Sequence, residues 1–279
     1  MTQQMSRATI DGVELEYQQL GSGEPVVLVH AGIFSDFFTP LVEQPALAGR
    51  YRIVNYHRVG CAGSSRASGP LSIAQEALHC RSLMRHLGIK KAHIVGHSNS
   101  GNLVLQLALD APETVHSLVV EEPALMTVPS AQTARAFLGA AIQQYRAGDK
   151  AGALDTFLKG TCGPDYRAAV DAALPGAIAR YAADADTFFG QQLPAMQQWS
   201  FGPAEASRIT QPVLAVIGER SRQLSPIWDE RQELLLSWLR NAEPFVLPKA
   251  THLLQVENPR DMAEGLAAFF ARYPCRNDQ

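Results

Sequence analysis

The chain lacks most of the features that mark specialised protein classes. Its four cysteines, Cys61, Cys80, Cys162 and Cys275, are scattered with no C-x-x-C spacing, which argues against a zinc or dithiol redox motif. Charge is sparse at 18%, and 24 basic against 27 acidic residues leave a net charge of −3. No basic run or stripe is present, so neither nucleic acid nor an anionic membrane is an expected partner. No apolar stretch approaches the ~20 residues of a membrane span, and Met1 to Arg7 contain no apolar signal core. The expected address is therefore the cytoplasm, with reduced thiols. His93 and His97 are four apart but fall on a strand pattern, so they do not form a helical metal pair. Gly21-Ser22-Gly23 precedes a strand and opens no helix, so it reads as a turn rather than a phosphate cradle. No metal and no cofactor is expected.

What is present is a long, ordinary supply of apolar residues, 46% of 279, enough for a sizeable core. Ala8-Thr9-Ile10, the turn pair Asp11-Gly12 and the alternating Val13 to Tyr17 form a hairpin signal. Continuous apolar runs then recur at Val26–Val29, Ile53–Tyr56, Ile94–Val95, Leu118–Val120, Val213–Ile217 and Phe245–Leu247. Helical patterns separate them, at Ile73 to Leu87, Gly101 to Leu109, Pro226 to Leu239 and Pro259 to Tyr273. Such alternation predicts an α/β fold with a doubly wound, mostly parallel sheet covered on both faces. The rhythm breaks between about Leu125 and Arg208, where Ala-rich helical stretches carry many aromatics and no convincing strand. This predicts a core of residues 1–124 and 209–279 with an inserted helical cap, 125–208, over the carboxyl ends of the strands. Most cap aromatics should form its own core. Phe188, Phe189 and Trp199 are the ones expected to line a pocket.

The densest chemical signal is Ala92-His93-Ile94-Val95-Gly96-His97-Ser98-Asn99-Ser100-Gly101. A β-branched run reaches Gly96, Ser98 stands between small residues, and a helical pattern starts at once. A serine at the apex of so sharp a strand–turn–helix is forced into a strained backbone, and small neighbours, Gly96 and Ser100, permit it. Its hydroxyl is a weak nucleophile and needs a base, an acid to orient that base, and donors for an oxyanion. His252 follows the last strand and a short turn and precedes the helix starting near Pro259, so it is the expected base. His97 should pack behind the serine. His30 and His57, at strand ends, could support the site from behind.

Five segments in order resemble the α/β-hydrolase superfamily, in its capped serine-hydrolase branch. Val29-His30-Ala31-Gly32 looks like its oxyanion loop, and His57 to Ser64 like its D-x-R-G-x-G-x-S turn with histidine in place of the aspartate. Gly96 to Gly101 matches its nucleophile elbow, Pro212 to Glu219 its P-V-L-x-I-x-G-E strand, and Thr251-His252 with Glu257-Asn258-Pro259 its histidine loop. The resemblance implies oxyanion donors at the backbone N–H of Asn99 and of Gly32 or Ile33, and Ile33 is also expected against the substrate. The chain departs from the family at the acid, because Ser221 stands where relatives commonly carry Asp. Glu121 and Glu122 end an otherwise apolar strand, and only one of two adjacent strand residues can face His252. Glu122 is favoured because its spacing from the serine is similar to that of zearalenone lactonases. Glu121 and Glu219 remain alternatives.

These readings lead to an expected serine hydrolase acting on an apolar ester or lactone through Ser98, His252 and Glu122, as a monomer or homodimer. A C–C bond hydrolase of the same fold, or a ligand receptor with vestigial turnover, are the competing expectations.

Overall fold

The computed structural model describes residues 5–67 and 69–275. Eight strands form one sheet: β1 Ser6–Ile10, β2 Val13–Leu20, β3 Glu24–Val29, β4 Tyr51–Tyr56, β5 Ala92–His97, β6 Val115–Glu121, β7 Val213–Gly218 and β8 Ala242–Leu247. Their spatial order is β1-β2-β4-β3-β5-β6-β7-β8. The first two strands run antiparallel to their neighbours and all later pairings are parallel. Asp11 (φ 49°) and Gly12 (φ 83°) make the tight β1–β2 turn that the Asp-Gly pair predicts.

The parallel strands read as unbroken apolar runs because both faces are covered. Val26 and Leu28 enter one core cluster while Val27 and Val29 enter the other, and Val119 and Val120 divide in the same way. The helices Ile73–His86, Asn99–Asp110 and Ile227–Trp238 begin and end within two residues of the sequence expectation, as does Pro259–Arg272. β8, at the sheet edge, buries only Leu247 fully, and Val246 is exposed.

Among the described residues no strand occurs between β6 and β7. That segment holds helices from Ala131–Arg146 to Pro203–Ala206, with a π-helical turn at Phe188–Gln192. It is pinned to the sheet's carboxyl end by polar contacts on the loop after β4. Buried Asp184 accepts the Ala62 N–H at 2.9 Å and binds Arg66 at 2.8 Å. Thr187 donates to Gly60 O at 2.9 Å. No described helix is long and apolar enough to cross a membrane.

Candidate active site

Ser98 stands between β5 and the helix Asn99–Asp110 with φ 54° and ψ −121°, a conformation that costs a non-glycine residue about 1–3 kcal/mol. The surrounding structure holds it there. Its N–H donates to Glu121 O at 2.8 Å, and its carbonyl accepts from Gly101 N–H at 2.9 Å and Ala124 N–H at 3.3 Å. Gly96 has to be glycine, since a Cβ there would strike Ser100 O and lie 2.8 Å from both Val104 methyls. A Cβ on Gly101 would lie 2.9 Å from Pro123.

His252 follows β8 as the chain order predicts. Its Nδ1 lies 2.6 Å from Glu122 Oε2, and both side chains are essentially buried. The other Glu122 oxygen accepts the Gly218 N–H at 2.8 Å. Glu122 lies one residue past the end of β6 with φ 42°, a left-handed kink. Glu121, on the strand, instead accepts from Gln255 Nε2 at 3.0 Å. Glu219 accepts the Lys249 N–H at 2.8 Å on an exposed turn. Of the three glutamates weighed from sequence, Glu122 is thus the one at hydrogen-bond distance from His252.

Burial dominates the electrostatics. It raises the Glu122 carboxyl, and the Ser221 hydroxyl, the Gly218 N–H and the Arg231 charge pull it back. It lowers the His252 imidazole, with the Arg231 charge acting in the same direction. The ring is therefore neutral at pH 7 and available to take a proton. The rings of Trp228 and His97 each lie 4.5 Å from it. His97 stacks on Phe37 at 4.0 Å and donates from Nε2 to His252 O at 3.0 Å, so it braces the histidine loop.

Ser98, Asn99 and His252 border one cavity of about 300 Å³, together with Ile33, Phe188 and Trp228. Ser98 Oγ and His252 form no direct hydrogen bond among the described residues; such contacts commonly tighten only around bound substrate. The Asn99 N–H opens the helix, where the first amides lack intrahelical acceptors.

Three sequence expectations need correction. The Gly32 N–H is not a free donor, because it is 2.9 Å from Asn99 Oδ1. That oxygen also accepts from Arg58 Nη1 at 3.0 Å. Of the two amides expected there, the Ile33 N–H is the one with no partner among the described residues. Gly32 matters for space, since a Cβ would lie 2.6 Å from Phe188. Phe189 lies away from the cavity, packed on Tyr145 and Phe188 at 5.1 Å each. Trp199 borders a neighbouring cavity of about 640 Å³, stacks on Phe201 and donates to Gln106 Oε1.

The sequence reading missed the buried pair beneath the site. Arg58 binds Glu76 at 2.9 and 2.5 Å and also reaches Ser100 Oγ at 2.9 Å and His30 O at 3.4 Å. The available signal was Glu76 on the apolar face of its helix, beside Ile73, Ala77 and Cys80. His30 fits this frame as a neutral ring, since its Nε2 accepts the Arg58 N–H at 3.0 Å and burial lowers its pKa. His57 binds Glu16 at 2.8 Å, away from Ser98. No group of three His, Cys, Asp or Glu among the described residues is placed to hold a metal ion.

A mostly parallel sheet, a serine on a strained turn after its central strand and a histidine after its last are the architecture of the α/β hydrolases. The chain belongs to the alpha/beta hydrolase family, whose sequence profile matches residues 26–265. A protein provisionally named carbamate hydrolase RutD, from Azorhizobium caulinodans, is 35% identical over 108 residues, 38% of this chain and 40% of that protein. The chain thus spans less than half of that relative's length. A dihydrolipoyllysine-residue acetyltransferase component of the acetoin cleaving system of Pseudomonas putida is 29% identical over 280 residues, 96% of this chain and 69% of that protein. The enol-lactonase from Burkholderia xenovorans LB400 shares the fold with a TM-score of 0.75 and 20% identity, over 95% of this chain and 100% of that one.

Proposed function

We propose that this hydrolase cleaves an ester or lactone bond of a largely apolar small molecule through an acyl-enzyme on Ser98. The observation that carries the reading is the 2.6 Å contact between His252 Nδ1 and Glu122, buried beside the cavity onto which the strained Ser98 opens. His252 takes the Ser98 proton as Oγ attacks the carbonyl carbon, and the N–H groups of Asn99 and Ile33 receive the oxyanion. Glu122 holds the Nδ1–H tautomer and offsets the imidazolium charge. Collapse expels the alcohol with the proton from His252. Water, deprotonated by the same ring, then releases the acid and restores Ser98. Thr133, Leu138, Phe157 and Phe188, all from the helical segment between β6 and β7, support its role as a cap that sets specificity.

A fluorophosphonate probe should add once, on Ser98, and Ser98→Ala should neither label nor turn over nitrophenyl esters. Glu122→Gln should lower kcat by about 10³–10⁴-fold, while Glu219→Gln stays near wild type. Full esterase activity in Ser98→Ala would sink the proposal.

A further inference from the structure

Arg231 stands out against an otherwise uncharged cavity wall. It lies on the helix Ile227–Trp238, on the face that also carries Ile227, Trp228 and Leu235 inward. The residue is 6% exposed. Apart from the His252 imidazole, it is the one ionisable side chain among the described residues that borders the cavity containing Ser98.

A guanidinium so deeply buried is costly unless an anion compensates it. The other deeply buried arginine among the described residues, Arg58, obeys that rule through Glu76. Arg231 has no carboxylate within ion-pair distance among the described residues. Its Nε donates to Leu125 O at 2.7 Å, its Nη2 meets Met126 Sδ at 3.1 Å, and its carbon lies 5.1 Å over the Trp228 ring. Its Nη1 makes no hydrogen bond to a described residue. The neighbouring carboxylates are already engaged. Glu122 is committed to His252 and the Gly218 N–H. Glu230, adjacent in sequence, binds the Ser130 N–H at 2.8 Å and its hydroxyl at 2.7 Å. Burial pushes the Arg231 guanidinium down to about 10, which still leaves it charged at neutral pH.

The arginines of the segment between β6 and β7 do not supply this charge. Arg167 binds Asp155, Arg180 binds Asp36, Arg135 and Arg208 donate to the Met126 and Leu109 carbonyls, and neither they nor Arg146 border the cavity. The positive charge at the cavity therefore comes from the helix Ile227–Trp238 after β7, beside His252.

We propose that Arg231 recognises a carboxylate on the substrate, so that the preferred substrate is a monoanionic ester or lactone with an apolar body. This rests on the hydrolase reading and narrows it. The carboxylate completes the ion pair that the fold leaves open, and Trp228 holds the guanidinium in place beneath it. The anion and the scissile carbonyl then share a single small cavity, which fixes the carbonyl relative to Ser98.

The test uses nitrobenzyl half-esters of straight-chain dicarboxylic acids, from glutarate to suberate, each beside its neutral monoamide. A second set carries the carboxylate on the alcohol part. Wild type should favour the anionic member of at least one pair by about tenfold or more in kcat/KM, mainly through KM. Arg231→Met should lose that preference, and Arg231→Lys should keep part of it.

Preference for the neutral member in every pair would overturn the proposal. So would an equal loss on both members in Arg231→Met, since that would assign the arginine to the Glu122–His252 pair alone. Should Arg231→Met fail to fold, the wild-type comparison still decides. Titration calorimetry of the preferred half-ester with Ser98→Ala reads the carboxylate site without turnover. Binding there that exceeds the neutral amide's by about tenfold supports the site even if wild type cleaves no ester, and equal binding overturns it.

Discussion

Two adjacent glutamates with opposite duties show how single residues work here. Alternation along a strand predicts that only one of Glu121 and Glu122 can face His252. The structure adds the left-handed kink at Glu122, which periodicity does not encode. Glu121 is fully buried with one oxygen on Gln255 and none on a cation, and burial raises its carboxyl to about 8. Above the ordinary carboxylate value of 4.5 the unfolded chain releases this proton while the folded protein retains it. The fold therefore loses stability as pH climbs from there toward about 8. Glu121→Gln, neutral at every pH, should melt higher than wild type near pH 8.5, with the gap closing near pH 5. Thermal unfolding of both proteins across that range checks this; parallel curves would show that Glu121 is ionised throughout.

At the scale of elements, the turn between β5 and its helix was the most legible part of the chain. Its demands are local: a β-branched run, small residues at fixed offsets, and a helix that starts immediately. Gly96→Ala should be damaging for a contact reason rather than a dihedral one, because the added methyl meets Ser100 O and the Val104 methyls. The expected outcome is a loss of about 1–3 kcal/mol in denaturant unfolding, together with slower labelling of Ser98 by a fluorophosphonate. Unchanged stability would mean that the helix can move away from the strand. The loop after β3 was less legible. There the Asn99 carboxamide takes the Gly32 N–H, and that contact joins residues 67 positions apart. Phe189 and Trp199 fall outside the cavity that contains Ser98 for a similar reason. Aromatic composition locates a helical segment, whereas which face turns toward Ser98 depends on the π-helical turn and on packing against Tyr145 and Phe201.

At the scale of the whole molecule, the buried Arg58–Glu76 pair links elements that the chain separates. Glu76 comes from the helix Ile73–His86, and Arg58 reaches the loop after β3 and the first turn after Ser98. Removing one partner leaves the other charge unpaired in the interior. Glu76→Gln should therefore cost about 3–5 kcal/mol by denaturant unfolding, and the Arg58→Met/Glu76→Met double variant should cost less than Glu76→Gln alone. A double variant less stable than Glu76→Gln would show that hydrogen bonds to Asn99 and Ser100, rather than charge balance, hold the frame.

The sequence by itself determined the succession of apolar runs along the chain, the hairpin at the start, the strained serine, and a histidine after the last strand. All of these rest on short-range sterics and periodicity, which neighbouring residues specify. Tertiary structure decided which glutamate meets that histidine, that the Gly32 amide is taken by Asn99, and that Arg231 in the cavity wall has no carboxylate at ion-pair distance among the described residues. Those outcomes depend on desolvation and on distances between remote segments, and such quantities exist only once the chain has closed on itself.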